Sequence, residues 1–176
     1  RDIEALARSV PDNGGVTVVP ALTGLGAPHW DPTARGLVIG LSRATGRGHI
    51  ARAALEAIAL SVADVVHCMQ QDAGTRLEVL RVDGGAAAND LLLQIQADVL
   101  GLPVERPEVL ETTALGAAYL AGMSAGLMEN AAAAGRRAVV QRFEPRMAEA
   151  ERQRITAAWD DAVGRSLRWA VPRDRG

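Results

Sequence analysis

The sequence contains no lysine; every basic side chain other than histidine is an arginine. A P-loop lysine and a Schiff-base lysine are therefore excluded, and any phosphate handled by this chain must be met by backbone amides, arginine or metal. Cysteine occurs once, at Cys68. It has no partner for an internal disulfide, and within an apolar helical pattern it reads as a small core side chain. Aromatics make up only 3% of the residues and the formal charge is -2. Little is left to stack on bases or neutralise a phosphate backbone, which argues against nucleic acid as a partner. No apolar run approaches the ~20 residues that cross a bilayer, and the N-terminus lacks a basic, apolar, small-residue signal pattern. A cytoplasmic protein without a membrane span is the expectation.

The 176 residues, 48% of them hydrophobic, suffice to bury one sizeable core. The chain begins at Arg1, on what reads as the end of a helix (Ile3 to Val10), and is expected to be a piece of something longer. Turn residues Pro11 to Gly15 precede a strand-like run, Val16 to Val19. Thr23 to Asp31, rich in glycine and proline, reads as an ordered loop anchored by Trp30. Gly36 to Leu41 is a short strand. Apolar residues then recur in steps of three and four at Ile50, Ala53, Ala54, Ala57, Ile58, Ser61, Val62, Val65, Val66 and Met69, the mark of a long amphipathic helix. Glu78 to Val82 is another short strand candidate, and Leu91, Leu92, Ile95, Val99 and Leu100 form a helical stripe closed by Gly101. Val104 to Arg106 and a helix capped by Thr112 or Thr113 repeat the strand-to-helix unit, which argues for α/β architecture. The run Ala131 to Ala134 reads as helical, and Ile155, Trp159, Val163 and Leu167 predict a terminal amphipathic helix with its arginines facing water.

The chemistry concentrates in LRVDGGAAAND, where a strand delivers Gly84 and Gly85 onto a helix start. Glycines without Cβ let a ligand approach the backbone closely, and free amides aided by the helix dipole favour phosphate or polar groups. Asn89 falls in the first helical turn, able to donate and accept toward a nucleotide; the same pattern also describes a tight turn with an ordinary capping asparagine. His49 opens a helix and reads as structural, His29 and His67 lack partners nearby in sequence, and Glu56 pairs with Arg52 as a surface i, i+4 pair.

Over nearly its whole length the chain resembles the C-terminal domain of the FGGY carbohydrate kinases, nearest to the glycerol kinases among them. The resemblance rests on VVPALTGLGAPHWDPTARG and on Gly36, Val38, Gly40, Leu41, then, after seven further residues, His49, Ile50, Ala53, Ala54, Leu55 and Glu56, which fit the family signature in order and spacing. It rests also on VDGGAAAN and ERPEVLETTALGAAYLAG, the latter separating glycerol kinases from xylulose-type relatives.

This resemblance implies an actin-like, ribonuclease-H-type fold in which two domains close on MgATP and an acceptor alcohol. It implies nucleotide contacts from Gly85 and Asn89, with Gly84 and Ala86 as neighbours in the same turn. Two readings stand for Asp83, orienting a Mg2+-bound water or capping the following helix. Residues 1–145 are expected to be part of the family's C-terminal domain, and residues 146–176 a helix and tail packed on it. The catalytic base, an aspartate in a GDQ-type segment, and the polyol contacts are expected before Arg1. So are the N-terminal domain and the first three strands of this domain's sheet, which would leave a sheet edge bare and prone to association. The implied partners are ATP, glycerol or a similar polyol, and the N-terminal part of the kinase, with room for a homo-oligomer. Alternatives are another FGGY sugar or polyol kinase, or a non-catalytic nucleotide-binding or partner module of a split kinase.

Overall fold

The computed structural model describes residues 2–127 and 139–170. The predicted alanine-run helix at Ala131 to Ala134 lies outside them. Helix α1 (Asp2–Arg8) leads through the Pro11 to Gly15 turn into strand β1 (Thr17–Val19), which pairs antiparallel with β2 (Leu37–Ile39). Helix α2 (Arg47–Ala73) follows, then β3 (Leu80–Arg81), α3 (Asp90–Leu100), β4 (Val104–Pro107), α4 (Thr112–Ser124), β5 (Val139–Phe143) and α5 (Glu149–Ser166). Strand β4 is central in a second sheet, parallel to β3 and antiparallel to β5.

Two hydrophobic clusters organise the chain. The larger joins α1, β1, α2, α3 and α5 around Leu55, Leu60, Leu92, Ile95 and Trp159. The smaller joins α3 to the second sheet through Leu93, Ala97, Val104 and Phe143. Helix α3 is apolar on nearly every side because it faces both. Its end is set by Gly101 at φ 66°, and the guanidinium of Arg152 donates to the carbonyl of Asp98 at 2.8 Å there. A cation on the last carbonyls also opposes the negative end of the helix dipole.

Four local expectations are overturned in whole or in part. Trp30 is no anchor: it is 77% exposed, and the buried tryptophan is Trp159, whose indole donates to Asp64 at 2.8 Å. Helix α2 buries Ala53, Ala57 and Val66 of the expected stripe but adds Ala51, Leu55, Ala59, Leu60 and Ala63 to its inward face, whereas Ile50, Ile58, Val65 and Met69 stay exposed. Small side chains let α1 and α3 approach its axis, and closeness rather than bulk chose the face. Neither Thr112 nor Thr113 caps α4, for the N-cap is Glu111 and Thr112 is already helical. Arg152, in the terminal helix, turns to α3 rather than to water. Strand β5 went unpredicted.

Candidate functional site

Strand β3 ends just before Asp83, and the chain then makes a single 3-10 turn, Gly85–Ala88, before α3 starts. The glycines thus do not open the long helix directly. Gly84 sits at φ 81°, a backbone conformation that L side chains rarely adopt, and its amide donates to the carbonyl of Leu110 at 2.8 Å. A Cβ built on Gly85 would meet nothing within 4 Å, so the space above that glycine is open to solvent. Among the described residues the amides of Gly85 and Ala86 have no hydrogen-bond partner, and both residues are exposed.

Asn89 is not inside the first helical turn. It is the N-cap of α3, extended at φ -91° and ψ 107°, and its Oδ1 accepts from the Leu92 amide at 2.9 Å. The next amide, Leu91, donates to Glu4 of α1 at 3.3 Å. Asn89 and Glu4 therefore already occupy first-turn donors of α3, and the donors left to an incoming ligand are those of the 3-10 turn. With the carboxylates of Glu4, Asp83 and Asp90 nearby, this surface suits the uncharged part of a ligand better than its anionic end. Asp83 is exposed and accepts no hydrogen bond among the described residues, so it does not cap α3.

The turn is held from behind by β4. Arg106, whose side chain is only 16% exposed, donates to the Ala87 carbonyl at 3.0 Å and to Asp90 Oδ1 at 2.7 Å. It also donates to Gln141 of β5 and lies 5.6 Å from the centre of the Phe143 ring. Beside it on the opposite face of β4, Glu105 is flanked by Arg81 at 3.2 Å and Arg142 at 2.8 Å. These guanidiniums, Arg81 first, hold its carboxyl below the ordinary range.

The other titratable residues are structural in this geometry. His49 accepts the Gly46 amide on Nδ1 at 3.0 Å at the start of α2. Glu56 does pair with Arg52, at 2.8 Å, but the pair is not superficial: Glu56 is 6% exposed and also accepts from Asn13 at 2.7 Å, tying the turn before β1 to α2. His29 does have a partner, Asp64 at 3.4 Å, brought near by the fold across a wide gap in sequence. Burial, and then Asp64, push the Asp160 carboxyl up. In the loop before β2, Asp31 accepts from the Thr33 hydroxyl at 2.6 Å and from the amides of Arg168, Thr33 and Ala34. Those bonds, the hydroxyl's first, lower its pKa from 3.8 to about 2. Among the described residues no three His, Cys, Asp or Glu side chains converge as a metal cage. Mg2+ needs only one or two carboxylates besides water and phosphate oxygens, and Asp83 is a free carboxylate beside the glycine turn.

The sequence pattern of the C-terminal domain of the FGGY family of carbohydrate kinases matches residues 2–125. The chain belongs to that family. As an FGGY chain it is 62% identical over 170 residues to glycerol kinase from Dechloromonas aromatica, covering 96% of this chain and 34% of that protein. Its structure superposes on Plasmodium falciparum glycerol kinase with ADP at TM-score 0.81 and 34% identity, covering 94% of this chain and 33% of the other. Against xylulose kinase from Rhodospirillum rubrum the TM-score is 0.69 at 26% identity, with 93% and 32% covered. The chain thus spans about a third of the length of these relatives. The fold is the actin-like, ribonuclease-H-type α/β fold of FGGY kinases, C-terminal part. Among the described residues of this FGGY chain no helix is long and apolar enough to cross a membrane.

Of the residues expected at the site, Gly84, Gly85, Ala86 and Asn89 form one continuous turn and cap. Sequence reasoning missed Arg106, Glu4 and Gln141. Only the ERP run hinted at Arg106, and nothing local linked α1 to the start of α3.

Proposed function

We propose that this chain supplies the nucleotide-facing wall of an ATP-dependent glycerol kinase, which transfers the γ-phosphoryl group of ATP to glycerol to give glycerol 3-phosphate and ADP. The single observation carrying the substrate is the likeness to glycerol kinases, at 62% identity in sequence and TM-score 0.81 in structure, against 0.69 for a xylulose kinase. On this reading Gly85 and Ala86 offer amides and open space to the nucleoside end of ATP or ADP. Asn89 Nδ2, left free while Oδ1 caps α3, donates to it. Gly84 provides the backbone reversal that exposes both. Asp83 is the carboxylate that would orient a water of Mg2+, whose charge would offset that of the phosphates. Residues 1–145 act as the domain proper and 146–176 as its packed terminal segment. The lone cysteine suits a reducing compartment, the cytoplasm.

Positioning and charge stabilisation dominate phosphoryl transfer, and a base at the acceptor hydroxyl is typically worth ~10²–10⁴ in rate. The family resemblance puts the base and polyol contacts in a GDQ-type segment, which these 176 residues do not contain. The test is an ADP titration followed by backbone amide NMR. Saturable shifts confined to residues 83–90, weakened by Gly85→Val, support the reading. Absence of saturable binding at millimolar ADP, or shifts centred elsewhere, defeats it.

A further inference from the structure

The Gly85–Ala88 turn is glycine- and alanine-rich and exposed except at Ala87, and its own ties are short-range backbone bonds, from the Ala87 amide to the Gly84 carbonyl at 3.0 Å and from the Asn89 amide to the Ala86 carbonyl at 3.1 Å. A segment of that kind samples many conformations unless side chains from outside fix it, and an unfixed turn lowers apparent affinity by the fraction of time it is misshapen. The groups that fix it come from β4. A register shift between Arg106 and Pro107 breaks the β4–β5 ladder at this point, and such bulges re-aim side chains. Arg106 consequently reaches past the end of its strand and spreads its guanidinium over three acceptors on three separate elements: Ala87 O in the turn, Asp90 at the first position of α3, and Gln141 on β5. Its stem and charge rest over the Phe143 ring. A planar fork of donors can serve three fixed acceptors at once, whereas an ammonium acts as a point charge.

We propose that Arg106 is a positioning residue for the nucleotide wall, holding the Gly85–Ala88 turn and the Asn89 cap in the shape that accepts a nucleotide without touching the nucleotide itself. This rests on the nucleotide reading of the turn given above. The arrangement makes the backbone of residues 85–90 depend on a side chain 16 or more positions away in sequence, through the bonds to Ala87 and Asp90. It also distinguishes Arg106 from Arg152, which pins the opposite end of the same helix through the Asp98 carbonyl and is far from the turn.

The test compares Arg106→Met, which keeps the apolar stem over Phe143, with Arg106→Lys and with Arg152→Met as the structural control. Two readouts are taken: hydrogen exchange of amides 84–92, which needs no nucleotide, and ADP affinity from the NMR titration. Arg106→Met is expected to speed exchange at residues 85–90 selectively and to weaken ADP about tenfold, the scale of one charged hydrogen bond. Arg106→Lys should fall between it and the unaltered chain. Arg152→Met should lower the melting temperature yet leave ADP affinity within twofold. Unchanged exchange at 85–90 in Arg106→Met overturns the proposal whatever ADP does. If exchange rises but ADP affinity holds, or if Arg152→Met weakens ADP equally, positioning is refuted in favour of general stability. If exchange rises selectively while the unaltered chain fails to bind ADP, the nucleotide reading falls and the positioning role built on it falls with it, leaving only a structural clamp.

Discussion

Asn89 is asked to do two things at once, and substitutions can separate them. Its Oδ1 caps α3 through the Leu92 amide at 2.9 Å, while Nδ2 is the group assigned to the nucleotide. Removing an asparagine cap typically costs about 1 kcal/mol, and for a chain of this size that is a fall of roughly 2–4 °C in melting temperature. Asn89→Ala should show that fall, because Glu4 still receives the Leu91 amide and the rest of the helix start is unaffected. It should also weaken ADP by about three- to tenfold, the net worth of one neutral hydrogen bond. Asn89→Ser keeps a capping oxygen, so its melt should stay near that of the unaltered chain while ADP weakens as in the alanine variant. Asn89→Asp also keeps the cap and adds a favourable charge at the positive helix end, yet it sets that charge against an anionic ligand and should bind ADP worst of the three. Melts by circular dichroism and ADP titrations by NMR are the assays. Should serine and alanine both bind ADP like the unaltered chain, Asn89 is a cap and nothing more.

Asp31 carries a pH signature: because its pKa is depressed to about 2 from 3.8, the unfolded chain takes up the proton first as pH falls. Its stabilisation is complete above 3.8 and drains away toward about 2, so Asp31→Asn should flatten the pH dependence of the melt in that window. Gly40→Ala should leave little soluble protein. Its φ is 84° and the new Cβ would lie 2.0 Å from the Gly15 carbonyl oxygen, a clash added to the roughly 1–2 kcal/mol of left-handed backbone. Trp159→Phe should cost about 1–3 kcal/mol in denaturant unfolding by leaving Asp64 only its 3.4 Å contact with His29, and a smaller change would mean water replaces the indole. In a coupled assay the chain by itself should phosphorylate no glycerol above background, and robust turnover would place a base among these residues.

Local sequence was a good guide wherever local physics decides. The helix end at Gly101 is a left-handed cap that glycine alone accepts readily, and the apolar spacing along α3 and α5 has few other uses. Prediction failed where the deciding partner was remote. An alanine-rich helix has a weak apolar stripe, so the inward face of α2 was chosen by α1 and α3 rather than by its own pattern. Strand β5 offers five residues with Arg142 facing Glu105 and Phe143 facing Val104, too brief an alternation to stand out. At the site, the glycines and Asn89 were legible because backbone reversal and capping are local demands. The burial of Glu56, the exposure of Trp30 and the grip of Arg106 each depend on residues dozens of positions away.

Helix α3 is the one element common to both hydrophobic clusters, giving Leu91, Leu92, Ile95 and Val99 to one and Leu93 and Ala97 to the other. Neither cluster can lose it and keep its interior, so the two melt as a single cooperative unit and a protease that nicks one sheet should find no surviving half. The same rod has Asn89 at its front and the Arg152 contact at its back. A nucleotide held by the folded chain therefore protects both clusters together against global unfolding, and ADP should raise one melting transition without splitting it in two.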